Sequence, residues 1–240
     1  MLLVAVWQLA ASQELIDTQL FPSPVTVLEA GIDLAASGVL WPNFLVSLVR
    51  VAVGLALGAS AGLVIGLTVG FSRRAERLLD PTLQMLRTVP LLAVTPLFIL
   101  WFGFGELSKV LLIATGAFFP MYVNAFLGVR SVDARLFEVT QVLEFSKVQQ
   151  LRRLVIPSAM PNLLLGLRLS VGLAWLCLVV AELMGAESGV GYLIQNARSL
   201  LDTSTVLVGV AVFAAVGKAS DSVVRWLEAR LLTWRDGYSG

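Results

Sequence analysis

Five apolar segments, each near the length of a bilayer crossing, dominate this 240-residue chain. They run from about Phe44 to Gly70, Val89 to Phe104, Val110 to Leu127, Leu163 to Met184 and Thr205 to Val224. A membrane-spanning helix needs about 20 mostly apolar residues, and in lipid every backbone amide must find its partner inside the chain. The sequence therefore predicts an all-α, polytopic membrane bundle. The apolar stretch Met1–Ala11 reads as the tail end of a first span whose beginning is missing or frayed, which brings the total to about six. It lacks the basic start and small-residue cleavage signature of a signal peptide. No linker or second domain interrupts residues 1–240.

The basic residues set the topology. Between Ser12 and Asn43 there are only acids, Glu14, Asp17, Glu29 and Asp33, so this segment is expected outside. Arg73, Arg74, Arg77 and Arg87 put the next connection in the cytoplasm. Each later connection alternates: Lys109 alone outside, then Arg130, Arg135, Lys147, Arg152 and Arg153 inside, then Arg198 outside. Arg225, Arg230 and Arg235 place the C-terminus in the cytoplasm. In the outer segment, Ser23 before Pro24 is a helix-start signal, and an amphipathic surface helix follows.

Composition excludes several functions. Seventeen bases face sixteen acids, which gives no electrostatic footprint for nucleic acid. Histidine is absent, Cys177 is the single cysteine, and no metal cluster, cofactor motif or catalytic set is visible. There is no G-x-x-x-x-G-K-[ST] phosphate loop, so no ATPase site of its own. A secondary carrier would need a proton or sodium site in the membrane, and none is seen.

Gly54, Gly58, Gly62, Gly66 and Gly70 form a stripe at i, i+4 spacing, which lets a second helix approach closely, either in the same subunit or in another. Arg50, Arg87 and Arg168 stand as interfacial anchors or as attractors for an anion; Arg87, Thr95, Asn124 and Arg168 are the pathway candidates. Thr88, Thr115 and Ser170 are milder polar groups for which bonding back to the same helix is the commoner role. Arg168 and Glu182 share one helix about 21 Å apart and cannot pair. Pro90 and Pro96 are expected to kink their segment.

The region 130–161 is a polar island: two short amphipathic helices joined near Glu144-Phe145-Ser146, a knob that a soluble motor can grip. Glu138-Val139-Thr140, followed nineteen residues after Glu138 by Val155-Ile156-Pro157, resembles the "EAA" loop of binding-protein-dependent ABC importer permeases. Glu144 stands where that family has glycine. Phe21-Pro22-Ser23-Pro24, Arg77-Leu78-Leu79-Asp80-Pro81, Arg87-Thr88-Val89-Pro90, Gly189-Val190-Gly191-Tyr192 and Val180-Ala181-Glu182 are similar to the branch importing aliphatic sulfonates, taurine and nitrate, closest to the aliphatic sulfonate permeases.

The resemblance implies a permease homodimer in a bacterial inner membrane. Two cytoplasmic ABC ATPase subunits and a periplasmic or lipid-anchored substrate-binding protein complete the assembly. It implies that Phe137, Val142 and Leu143 act as apolar anchors in an ATPase cleft, with Glu138, Glu144, Arg152 and Arg153 as polar contacts. Pro157 is expected to open the helix after the loop. A membrane scaffold, the remaining alternative, would not require a knob of fixed length.

Overall fold

Apolar side chains at nearly every position leave helices as the only way to satisfy the backbone, and the computed structural model is helical throughout its described elements. It describes residues 2–13, 17 and 20–232, with side chains from residue 5 onward. The topology charges Glu14 and Arg235 lie outside the described residues. The elements are α1 (Leu2–Ser12), α2 (Pro24–Ala36), α3 (Leu40–Phe71), α4 (Arg73–Arg87), α5 (Leu91–Phe102) and α6 (Glu106–Arg130). There follow α7 (Ala134–Val142), α8 (Lys147–Gln150), a π-helical turn (Leu151–Val155), α9 (Ile156–Gly185), α10 (Val190–Ser199) and α11 (Thr203–Leu231).

Among the described residues, four helical stretches are long and apolar enough to cross a bilayer: α3, α6, the continuous stretch Lys147–Gly185, and α11. The α4–α5 pair, bent by 98°, makes a fifth if it is one span. The sixth expected span corresponds to α1, whose 11 residues reach about 16 Å, half a hydrocarbon core. The N-terminal signal before α2 works as read: Ser23 Oγ accepts from Thr26 N at 3.2 Å and Pro24 opens the helix.

The segment from Val89 to Phe104 is not one straight helix. The break falls at Thr88-Val89-Pro90, whereas Pro96 sits inside an uninterrupted α5. Pro90 caps rather than kinks, with ψ of 110° that no helix accepts. The arginine-rich connection before it is itself a helix, α4, started by Ser72 Oγ accepting from Ala75 N.

The glycine stripe packs inside the subunit. All five glycines are buried, and α3 and α6 run parallel in constant register, with Gly54 against Ile113, Gly66 against Ala125 and Gly70 against Val129. A methyl group added at Gly62 would lie 2.5 Å from the Phe118 carbonyl oxygen. α9 covers the other side of α6 in antiparallel fashion, where Ser170 Oγ donates to Ala117 O at 2.7 Å. Ser170 thus bonds across helices, while Thr88, Thr95, Thr115 and Asn124 all donate to carbonyls of their own helix.

Arg50 continues the same stripe one turn before Gly54, and so it does not snorkel as an interfacial anchor. It is 2% exposed. Its Nη1 donates to Glu182 Oε1 (2.7 Å) and to Ser188 O (2.7 Å), and its Nε and Nη2 fork onto Glu106 at 2.6 and 2.5 Å. The Glu182 carboxylate, buried, also accepts from Ser47 Oγ and from Gly191 N at 2.8 Å. Four elements meet there: α3, α6, α9 and the α9–α10 turn. Each donor and acceptor is satisfied, the condition for keeping charge at this depth.

Two predictions test this packing. Gly62→Leu must push α3 off α6, so the variant should lose its monodisperse elution in detergent. Gly172→Ala, where nothing lies within 4 Å of an added methyl, should elute like the parent chain. Arg50→Met strands the Glu182 carboxylate and should cost about 3–5 kcal/mol, read as a lowered thermal-unfolding midpoint in detergent.

Candidate functional site: the α7–α8 knob

Asp133 begins the knob by accepting from Arg135 N through Oδ1, which starts α7. At its far end the Leu143, Glu144 and Phe145 amides turn back onto the Val139, Gln141 and Thr140 carbonyls. Glu144 takes φ of +51°, left-handed backbone that suits glycine, so the turn is made at Glu144 itself and not shifted to Phe145-Ser146. Ser146 then starts α8 through a reciprocal capping box: its Oγ accepts from Gln149 N, and Gln149 Oε1 accepts from Ser146 N at 2.8 Å. The S-x-x-Q spacing at 146–149 carries that signal in the sequence.

The helical run that α8 begins does not break before Pro157. Lys147–Gly185 is one helical stretch of 39 residues, relaxed at the π turn Leu151–Val155. Pro157 therefore falls just inside α9 of a rod already under way, correcting the expectation that it opens a new helix. The wider turn beside it accommodates the missing amide. This rod is about 58 Å long and carries the knob at one end and Glu182 near the other.

The knob is fastened to the bundle through Phe71, the last residue of α3. Phe137 meets its ring edge-on at 6.3 Å, and Lys147 Nζ stands 5.8 Å above it. Phe137 is thus half-buried, while Val142 (82% exposed) and Leu143 (59%) project at the tip beside Val139 and Val148. Glu138, Glu144 and Arg152 are exposed, and Arg153 lies over the Phe145 ring at 5.7 Å. Apolar tips ringed by charge are what a protein partner, not water, would cover.

The pathway candidates separate. Thr95 is buried between α5 and the bundle, and Asn124 is buried against α9. Arg168 Nε donates to Asp221 Oδ1 at 2.7 Å, tying α9 to α11. Arg87 alone of the four opens on a large cavity, at the α4–α5 break. Sequence reasoning missed the role of Arg50 and Glu182 as a joined pair; the signal available was that Arg50 lies four residues before Gly54, on the packed face.

Residues 42–233 match the family described as the inner membrane component of binding-protein-dependent transport systems. The chain belongs to that family. It is 55% identical, over 99% of its length and 86% of the relative's, to a protein of Bacillus subtilis named as an aliphatic sulfonates transport permease. A protein of the same designation from Escherichia coli is 45% identical, over 98% of this chain and 90% of its own. The taurine transport system permease protein of Escherichia coli is 36% identical, over 97% and 86%.

The fold is also that of a chain of the MetNI methionine ABC transporter solved in inward facing conformations (TM-score 0.54, 19% identity, covering 75% of this chain and 95% of that one). This permease is a multi-pass membrane subunit of an ABC transport system.

The turn yields its own test. A glutamate in left-handed backbone costs about 1 kcal/mol or more relative to glycine. Glu144→Gly should therefore leave transport intact and raise the thermal midpoint slightly, whereas a severe loss of uptake would assign the Glu144 carboxylate a contact with the partner.

Proposed function

We propose that this permease imports aliphatic sulfonates. In this reading two identical copies pair, two ATPase subunits seat the knobs of residues 130–161, and a periplasmic or lipid-anchored binding protein delivers substrate to the opposite face. The relatives named for aliphatic sulfonates, at 55% and 45% identity over nearly the whole chain, support the substrate class. The charge alternation along the sequence supports a cytoplasmic knob and C-terminus.

The observation that carries the motor-coupled reading is the exposed apolar tip of a knob that is continuous with a transmembrane rod. ATP binding draws the two ATPases together, and a knob held in each moves with them. Because α8 and α9 form one stretch, that motion passes along the rod without a hinge loop to absorb it. It arrives at the Glu182–Arg50 junction, where α3, α6 and the α9–α10 turn are tied to the same carboxylate. Phe71, holding the knob from α3, makes α3 and its glycine-packed partner α6 follow. The subunit then swings as a body, opening first to the binding protein and, after hydrolysis, to the cytoplasm. The chain itself supplies no reaction step; it converts displacement into access.

The test separates assembly from coupling. Val142→Asp places a charge on an 82% exposed side chain, so insertion and folding should be unchanged while ATPase subunits no longer co-purify. Glu138→Ala should retain membrane insertion but let ATP hydrolysis proceed without uptake in proteoliposomes. Normal coupled uptake in both variants would remove the knob from the mechanism.

A further inference from the structure

The α4–α5 break opens a cavity of about 490 Å³, within the range of small-molecule sites. Its wall is apolar and aromatic, with Leu97, Phe98, Trp101 and Phe119 among the lining side chains. One charged residue contributes to it, Arg87, at the last turn of α4. Broken helices at membrane depth are tolerated where they line a cavity, and ionisable groups there mark the route of a solute.

The neighbouring charges are already committed. Asp80 accepts from Tyr122 Oη and from Gln84 Nε2 (2.5 and 3.2 Å), and Glu76 pairs with Arg130. Arg50 is held by two carboxylates and Arg168 by Asp221. Among the described residues Arg87 has no carboxylate within ion-pair distance, although it faces a cavity that bears no acid. An unpaired guanidinium beside an apolar wall matches one chemical class: a compact oxyanion head joined to a short hydrocarbon tail.

We propose that this cavity is a selective transit site within the permease itself, with the Arg87 guanidinium receiving the sulfonate head and the Leu97–Trp101 wall receiving the alkyl chain. The inference rests on the importer reading above and adds to it that selection is not left to the binding protein alone. Guanidinium forks match oxyanion geometry, and the tail replaces water against Phe98, Trp101 and Phe119. A zwitterion such as taurine fits worse, because no carboxylate in the wall meets its ammonium group.

The test uses the complete transporter, with ATPase subunits and binding protein, in proteoliposomes, and ethanesulfonate and hexanesulfonate as probes. Comparing each variant with the parent for the same probe cancels the preference of the binding protein. Arg87→Gln should lower uptake of both probes about 10- to 100-fold, the loss of one charge-assisted contact, while binding-protein-stimulated ATP hydrolysis stays within about twofold. Arg87→Lys should recover most of the uptake, because the positive charge is retained. Leu97→Trp, which fills the cavity from an exposed position, should depress hexanesulfonate uptake more than ethanesulfonate uptake.

Parent-level uptake by Arg87→Gln would overturn the assignment. So would parallel loss of uptake and stimulated hydrolysis in both Arg87→Gln and Arg87→Lys, which would make Arg87 a structural residue. Failure of the underlying importer reading looks different: the unmodified complex would import neither probe.

Discussion

The seam between α3 and α6 is the contact on which the rest of this subunit depends. Lipid tails are as apolar as leucine, so burial alone gives two helices no reason to associate in a bilayer, and close backbone packing must supply it. Gly54 to Gly70 provide that closeness over the second half of α3, bringing its backbone against carbonyls and side chains of α6. α9 then packs on the free side of α6, and α11 on α9 through the Arg168–Asp221 and Trp175–Ser220 contacts. The Arg50 junction sits at the end of the seam. Its carboxylate partners come from α6 and α9, and it can be charged there only because the helices already stand close enough to satisfy every donor.

Seen from that seam, the knob and the cavity are consequences of what α3 and α6 leave uncovered. The knob grows from the chain between α6 and α9 and is pinned back to α3 by Phe71, so it is fastened to the packed core. The α4–α5 pair flanks the core, which Leu91 and Phe98 of α5 touch. None of the α4 residues is buried, and of α5 only Thr95 is. A packed core with an exposed knob at one end and a broken helix on its flank suits a subunit that must change access without coming apart.

Much of this was legible in the residues. The apolar runs, the Ser23–Pro24 helix start, the glycine spacing and the nineteen-residue interval each rest on local chemistry that acts over a few turns. Glu144 was readable as the departure from glycine, and the structure gives it the left-handed backbone that glycine would adopt without cost. The capping box at Ser146 was equally readable, since it needs only two residues three apart. Other features were not local. Arg50 and Glu182 lie on different spans, and single-chain reasoning assigned each to a membrane end. Pro90 and Pro96 look alike in sequence, yet only Pro90 coincides with a break, where its extended backbone starts α5.

By itself, the sequence determined that the chain is helical, that it crosses the membrane several times and which face of α3 is packed. These follow from backbone satisfaction in lipid, from side-chain periodicity and from the distribution of charge. Only the tertiary structure decided which arginines are neutralised. Arg50, Arg87 and Arg168 are the same residue type, and pairing depends on what a different helix brings within about 3 Å. Two found carboxylates across helix contacts; the third was left facing a cavity, because α4 and α5 bend apart there.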